Sequence, residues 1–208
     1  MKQMTFVVDM DRCIGCKGCQ VACKLENTVA LGDGRNKVCT VGPTGSYPNL
    51  QMYFMTAMCQ ECENPSCVEV CPTGACWQDE DGIVKIDRTL CMGCGSCMRA
   101  CPYEMIHMNK ELRVADKCDL CASRREEGDT PACVRNCSGS ALHYGDLSDP
   151  NSEVSRLLAE TDPAHIHQLR DFGNGPTVRY ILRNDTWQDV LPQDCVEHSL
   201  RRNGGKRR

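Results

Sequence analysis

Apolar residues come in short pulses along this chain, none long enough to build a large element by itself. The run Thr5-Phe6-Val7-Val8 gives way at once to acid and then to cysteine. Residues 83–87, Ile-Val-Lys-Ile-Asp, follow an Asp-rich turn at 79–82 and alternate with the period of two that marks a half-buried strand. Residues 105–114 carry the pattern of a hairpin, and residues 177–182 that of one more short strand. The helical period shows most clearly in 152–160, where Val154, Leu157 and Leu158 share a face and Ser152 stands as the N-cap. Val21-Ala22-Cys23 and Met98-Arg99-Ala100-Cys101 each read as a single helical turn after a cysteine loop. The longest charge-free stretch, 38–60, is punctuated by Gly42, Pro43, Gly45 and Pro48, which predicts no membrane-spanning helix there. The pattern is that of an α+β chain of short strands, short helices and long loops.

Composition explains why the pulses are so weak. The hydrophobic fraction is 41%, but it includes 19 Cys among the 208 residues, and the aromatics are two Trp, five Tyr and three Phe. Without the cysteines, roughly a third of the chain is apolar, too little for a conventional core, so something bound by the thiols must replace the missing volume. The formal charge of −4 argues against nucleic acid as a partner, which calls for a basic face. Five of the last eight residues are nonetheless Arg or Lys, an end that reads as solvated or as a contact for anionic lipid or an acidic face. Residues 1–13 show neither a secretory apolar region nor a twin arginine, so no export signal is expected.

Sixteen cysteines fall into four groups. Cys13, Cys16, Cys19 and Cys23 are spaced C-x2-C-x2-C-x3-C, and Cys91, Cys94, Cys97 and Cys101 repeat that spacing. Cys59, Cys62, Cys67 and Cys71 form C-x2-C-x4-C-x3-C, while Cys118, Cys121, Cys133 and Cys137 stretch the middle spacer to eleven. Pro72 and Pro102 follow two of the groups. A cubane 4Fe–4S cluster needs four thiolates from different directions. A C-x2-C-x2-C loop wraps three corners, and in two-cluster ferredoxins the cysteine after the x3 spacer reaches the other cluster. Gly15, Gly18, Gly93 and Gly95 fit a backbone brought close to an inorganic core. Disulfides do not suit serial C-x2-C pairs. Zinc is the stronger rival, and the fourth group alone passes for a zinc ribbon, whereas the first and third carry more cysteine than a zinc knuckle uses.

The order and spacing of the groups resemble the four-cluster iron–sulfur subunits of the DMSO reductase family of molybdenum or tungsten oxidoreductases, over roughly residues 5–148. The resemblance implies two ferredoxin-like modules, one inserted in the other. Residues 1–48 and 103–148 would form the outer module, 49–102 the inserted one, and 149–208 an extension laid over the modules or a partner. It further implies one cluster on Cys13, Cys16, Cys19 and Cys137, and a second on Cys118, Cys121, Cys133 and Cys23. The third would sit on Cys59, Cys62, Cys67 and Cys101, and the fourth on Cys91, Cys94, Cys97 and Cys71. Ser138 stands where the family has proline. Partners implied are a large molybdopterin catalytic subunit and a membrane anchor with quinone, with a home outside the cytoplasm reached by co-export with a signal-bearing catalytic subunit. The alternative is a polyferredoxin-like carrier for a hydrogenase or a formate-oxidising complex.

No residues suggest catalysis on this chain. His107, His143, His165, His167 and His198 stand in no ligand pattern, and no Walker loop or dinucleotide fingerprint is present. The reading is an electron-transfer subunit. Lys17, Lys24, Arg99, Lys117, Arg124 and Arg135 flank the groups, each either a solvated charge or a charge that raises a cluster potential. Trp77 and Tyr103 read as packing shields, and Cys39, Cys76 and Cys195 as left-over thiols, with Cys76 also a candidate rescue ligand.

Overall fold

In the computed structural model, which describes residues 2–194, the charge-free stretch at 38–60 contributes most of the longest hairpin. Strand β1 (Met4–Asp9) leads through a 3-10 turn to α1 (Gly18–Asn27), and then β2 (Asn36–Ser46) and β3 (Asn49–Met58) pair antiparallel. The register shifts between Val41 and Thr44, so Gly42 and Pro43 sit in a bulge rather than breaking the strand. The side chains of Cys39, Val41, Tyr53, Met55 and Ala57 share one buried face, and Val38 is buried on the other beside Thr56. The hairpin was not legible from the sequence, and the expected module boundary at 48/49 falls in its turn.

After the hairpin the elements shrink. They are α2 (Ser66–Glu69), β4 (Cys76–Gln78), β5 (Val84–Ile86), α3 (Ser96–Ala100), β6 (Ile106–Asn109), β7 (Val114–Lys117), α4 (Ala122–Glu126) and α5 (Ala132–Arg135). β4 pairs with β5 and β6 with β7, each antiparallel. The strand expected at 83–87 is therefore β5, and the hairpin expected at 105–114 ends three residues later. Helix α1 packs on α5, and α2 on α3.

The chain closes with β8 (Leu142–Asp146), α6 (Glu153–Ala159), β9 (Ile166–His167) and β10 (Arg179–Ile181). Ser152 caps α6 by accepting from the Ser155 amide, and Val154 is buried against Val7 and Ile181. One sheet runs β8-β1-β10-β9, with β1 antiparallel to β8 and parallel to β10. The Cα of Val8 faces those of Leu142 and Tyr180, so the first and last strands share one layer. The segment after 148 is thus woven into the fold, a difference from the overlay expected of it.

A buried charge network ties α1 to β7. The Arg35 guanidinium, 5% exposed, donates to both oxygens of Asp116 at 3.0 and 2.8 Å, to Asp119 Oδ1 at 3.1 Å and to Asn27 Oδ1 at 2.9 Å. Burial works against ionisation of Asp116, but the Arg35 hydrogen bonds outweigh it and hold the carboxyl below its usual range. Removing the cation leaves the buried Asp116 carboxylate with Arg88 and His107 alone, a loss of about 3 kcal/mol. Arg35→Met should lower the thermal midpoint by roughly 6–12 °C. Arg156→Met, at an exposed site on α6, should stay within about 2 °C.

Candidate metal centre

Two of the four expected sets line pockets, and cysteines of the other two lie in one another's fields. Cys13, Cys16, Cys19 and Cys137 line one pocket with Ile14, Thr56 and Leu142. Cys23, Cys118, Cys121 and Cys133 line a second with Phe6, Asn27 and Met58. Cys62 lies in the field of Cys101 and Cys67, and Cys59 in that of Cys62 and Cys67. Cys97 is in that of Cys67, Cys91 and Cys71, with Cys94 beside Cys71. The first two sets share α1, which carries Cys19 and Cys23 on its buried face. The third and fourth meet at Cys67 and Cys97.

Exposure differs among the cysteines. Cys16 and Cys94 are exposed, whereas Cys23, Cys118, Cys121, Cys133, Cys59 and Cys62 are buried and Cys67 and Cys101 half-buried. Exposed apolar side chains stand beside both ends: Ile14, Val21 and Leu25 near Cys16, Leu90 and Met92 near Cys94.

The thiols are in surroundings that resist ionisation. Burial first, then the neighbouring Cys13 and Cys137, push Cys19 up to about 12. Burial, then Cys101 and Cys67, do the same to Cys62, also to about 12. Cys23 and Cys97 rise to about 11, burial leading in both. Such a thiol gives up its proton only to a metal that takes the sulfur's charge. The polar groups around it suit a bound thiolate: backbone N–H groups of Cys76, Ala115 and Ala141 donate to the sulfurs of Cys71, Cys91 and Cys137 at 3.3, 3.4 and 3.2 Å. The Asn27 amide donates to two sulfurs at once, Cys23 Sγ at 3.6 Å and Cys121 Sγ at 3.7 Å. Soft sulfur donors with amide hydrogen bonds match iron–sulfur chemistry.

Two residues here escaped the sequence reading. Asn27 lies one helical turn beyond Cys23, a spacing that was visible, and Arg35 orients its amide. Glu61, between Cys59 and Cys62, is fully buried; its Oε2 accepts from the Val84 amide at 2.8 Å and its Oε1 lies 3.5 Å from the Lys117 ammonium. Lys117 is itself 1% exposed and donates to the carbonyls of Val84 and Cys118. Of the six basic residues flagged from the sequence, Lys117 is the fully buried one. Lys24 donates to Ala30 O, Arg99 to Cys94 O, and Arg124 and Arg135 pair with Asp129.

Other expectations change in detail. Gly18 begins α1 with an ordinary φ, and it is Lys17 that takes the left-handed conformation. A Cβ on Gly15 would strike the Phe54 ring, and one on Gly93 would lie 2.3 Å from Arg113 O. These glycines serve packing of the loops on the hairpins. Tyr103 is buried beside Cys62 and Cys101 with its hydroxyl on Arg170 O, whereas Trp77 is 43% exposed under the Lys85 ammonium and shields little. Cys76 is buried, with its thiol hydrogen-bonded to Cys67, and Cys39 lies under the hairpin. Cys195, His198 and the basic tail lie outside the described residues.

Comparison with known proteins agrees with this chemistry. A family model for a 4Fe-4S dicluster domain matches residues 50–147, and one for a 4Fe-4S binding domain matches residues 10–30. The chain is 39% identical to a subunit of tetrathionate reductase from Salmonella typhimurium, with 89% of this chain and 75% of that protein covered. It is 42% identical to the thiosulfate reductase electron transfer subunit of Salmonella typhi, with 77% and 83% covered. To one of the chains of polysulfide reductase from Wolinella succinogenes it is 39% identical, over 76% of this chain and 84% of the relative.

Gly93→Ala forces both a φ of +69° on a residue with a Cβ and a clash with Arg113 O, for an expected loss of about 3 kcal/mol. Gly74→Ala, at φ +67° with open space around it, should cost only about 1 kcal/mol. Thermal midpoints of the two anaerobically purified variants should separate them by roughly 4–8 °C.

Proposed function

The chain belongs to the family of iron–sulfur electron-transfer subunits of dimethyl sulfoxide reductase-type complexes, and on that premise we propose that its sixteen grouped cysteines hold four 4Fe–4S clusters forming one row. The subunit is non-catalytic. We assign one cluster to Cys13, Cys16, Cys19 and Cys137, the next to Cys118, Cys121, Cys133 and Cys23, the third to Cys59, Cys62, Cys67 and Cys101, and the last to Cys91, Cys94, Cys97 and Cys71. The two cysteine-lined pockets, together with the exposure of Cys16 and Cys94 against the burial of Cys23, Cys118, Cys121 and Cys133, carry this reading. The pairing of α1 with α5 and of α2 with α3 supports two modules, 49–102 set within 1–48 and 103–148.

A bound 4Fe–4S cluster supplies a site that takes up and gives back one electron. The chain's own residues do the rest. Loops fix the sulfurs; the amides of Cys76, Ala115 and Ala141, with Asn27, donate to them; Phe6, Met58, Leu142 and Tyr103 keep water from the interior. Exposed Ile14, Val21 and Leu25 at one end, and Leu90 and Met92 at the other, suit docking of two partners. By family, the partner at the Cys16 end is a molybdopterin catalytic subunit with Mo or W, and the partner at the Cys94 end is a quinone-linked anchor or other donor. The complex would lie outside the cytoplasm, exported with a signal-bearing catalytic subunit. No helix among the described residues is long and apolar enough to cross a membrane.

Metal analysis of the anaerobically purified complex tests the reading. The expectation is about 16 Fe per copy of this chain and about one Mo or W per large partner. Full iron without Mo or W moves the function to a carrier for a hydrogenase or formate-oxidising complex, and about one zinc per four thiols overturns it. Asn27→Leu removes hydrogen bonds from one set of sulfurs alone. It should lower one of four midpoint potentials and leave three in place, read by EPR during a redox titration.

A further inference from the structure

The interior holds one ion pair that belongs to both inner thiol sets. Lys117 precedes Cys118 at the end of β7, and its ammonium lies in the field of Cys118 on one side and of Cys59 and Cys67 on the other. Glu61, its partner at 3.5 Å, sits within the Cys59–Cys62 loop and influences Cys59 and Cys118 alike. Both side chains are sealed from water, at 1% and 0% exposure. A charge so placed is not screened by solvent, as the ion pairs of Arg124 and Arg135 on Asp129 are.

The ammonium is fixed as firmly as it is buried. It donates to Val84 O on β5 and to Cys118 O, so one contact reaches the segment beside the third set and the other the loop of the second. Glu61 is anchored by the Val84 amide through the opposite carboxylate oxygen, and its Oε1 makes no hydrogen bond among the described residues. Two carbonyl contacts and a carboxylate that stops at 3.5 Å leave the lysine with positive field to spare. An electron arriving at either inner site adds negative charge near it.

We propose that Lys117 is a positioning residue for electrons: its buried ammonium raises the reduction potentials of the two inner clusters together, and Glu61 trims that effect. The proposal rests on the four-cluster assignment above. It goes beyond that assignment by naming the charge that joins the two modules electrically. The cysteines in its field are Cys59, Cys67 and Cys118, and the outer two clusters are expected to follow their own surroundings.

The test is an EPR-monitored redox titration of the anaerobically purified complex carrying the full chain, in wild type, Lys117→Met and Glu61→Gln. Wild-type iron content and four one-electron transitions settle the cluster assignment first, so its failure is seen before any variant is made. Lys117→Met should disfavour reduction of two sites by at least tenfold each, about 59 mV. Glu61→Gln should shift the same two sites the opposite way, and in both variants the other two transitions should stay in place. The Asn27→Leu variant identifies one of the shifted pair as the Cys118 site. Unchanged potentials in an iron-replete variant, or equal shifts at all four sites, overturn the proposal. If Lys117→Met fails to load iron, the upward shift in Glu61→Gln decides alone. Failure of both to load would make the pair a structural strut and equally overturn it.

Discussion

Everything in this molecule is arranged around the convergence of thiols whose ionised forms repel one another. Two sets draw sulfurs from separate stretches of chain: Cys137 joins the Cys13 loop and Cys23 joins the Cys118 loop. Chain closure of that kind costs entropy. Burial pushes thiols such as Cys19 and Cys62 up to about 12, so they keep their protons until a metal takes the sulfur's charge. A metal that takes the charge from sulfur reverses the balance, so the binding energy of the group is folding energy. That is why so few large apolar side chains suffice: the buried residues form a thin layer around the sites instead of a separate core.

The regular elements follow from the same requirement. A loop that turns its amides toward sulfur cannot also make long helices or strands, and so α2, α3, α4 and α5 last four or five residues each. The exceptions brace the loops. The β2–β3 hairpin presses Phe54 onto Gly15, and the turn after β6 presses Arg113 O onto Gly93. The mixed sheet gathers β1, β8 and β10 beside the Cys13 set, where Leu142 of β8 lines the pocket. Arg35 closes the space between α1 and β7 with charge instead of hydrocarbon, and through Asn27 the same guanidinium orients a donor to two sulfurs.

How much of this could be read in advance depends on how local each signal is. Cysteine spacing is local, and so are Ser152 as a cap and the alternation at 83–87; the last two survive in the structure. The long hairpin was hidden because Gly42, Pro43, Gly45 and Pro48 read as loop, while a bulge and a turn absorb them within paired strands. The parallel pairing of β1 with β10 joins the two ends of the described chain, and no pattern within either strand announces its partner. Lys117 shows the sharpest limit: its sequence neighbours resemble those of Arg124 or Lys24, and only the packing of Glu61, Val84 and Cys118 around it removes it from water.

The distribution of burial bears on who controls the electron. At Cys16 and Cys94 the outer sites meet the surface among exposed apolar side chains, so a partner that covers them changes their dielectric and their hydrogen bonding. The inner sites have no such exposure. Their sulfurs are buried or half-buried, Asn27 donates to two of them, and the buried charges beside them are Lys117, Glu61 and Arg35. Assembly can therefore retune the two ends without altering the middle, since screened surface charge does not carry over such a path while a sealed ion pair acts on what it touches. A conductor built this way keeps a fixed interior step and leaves the entry and exit to be set by whichever partners dock. The same architecture can then serve reductases with different substrates, because nothing about the substrate is written into the buried half of the row.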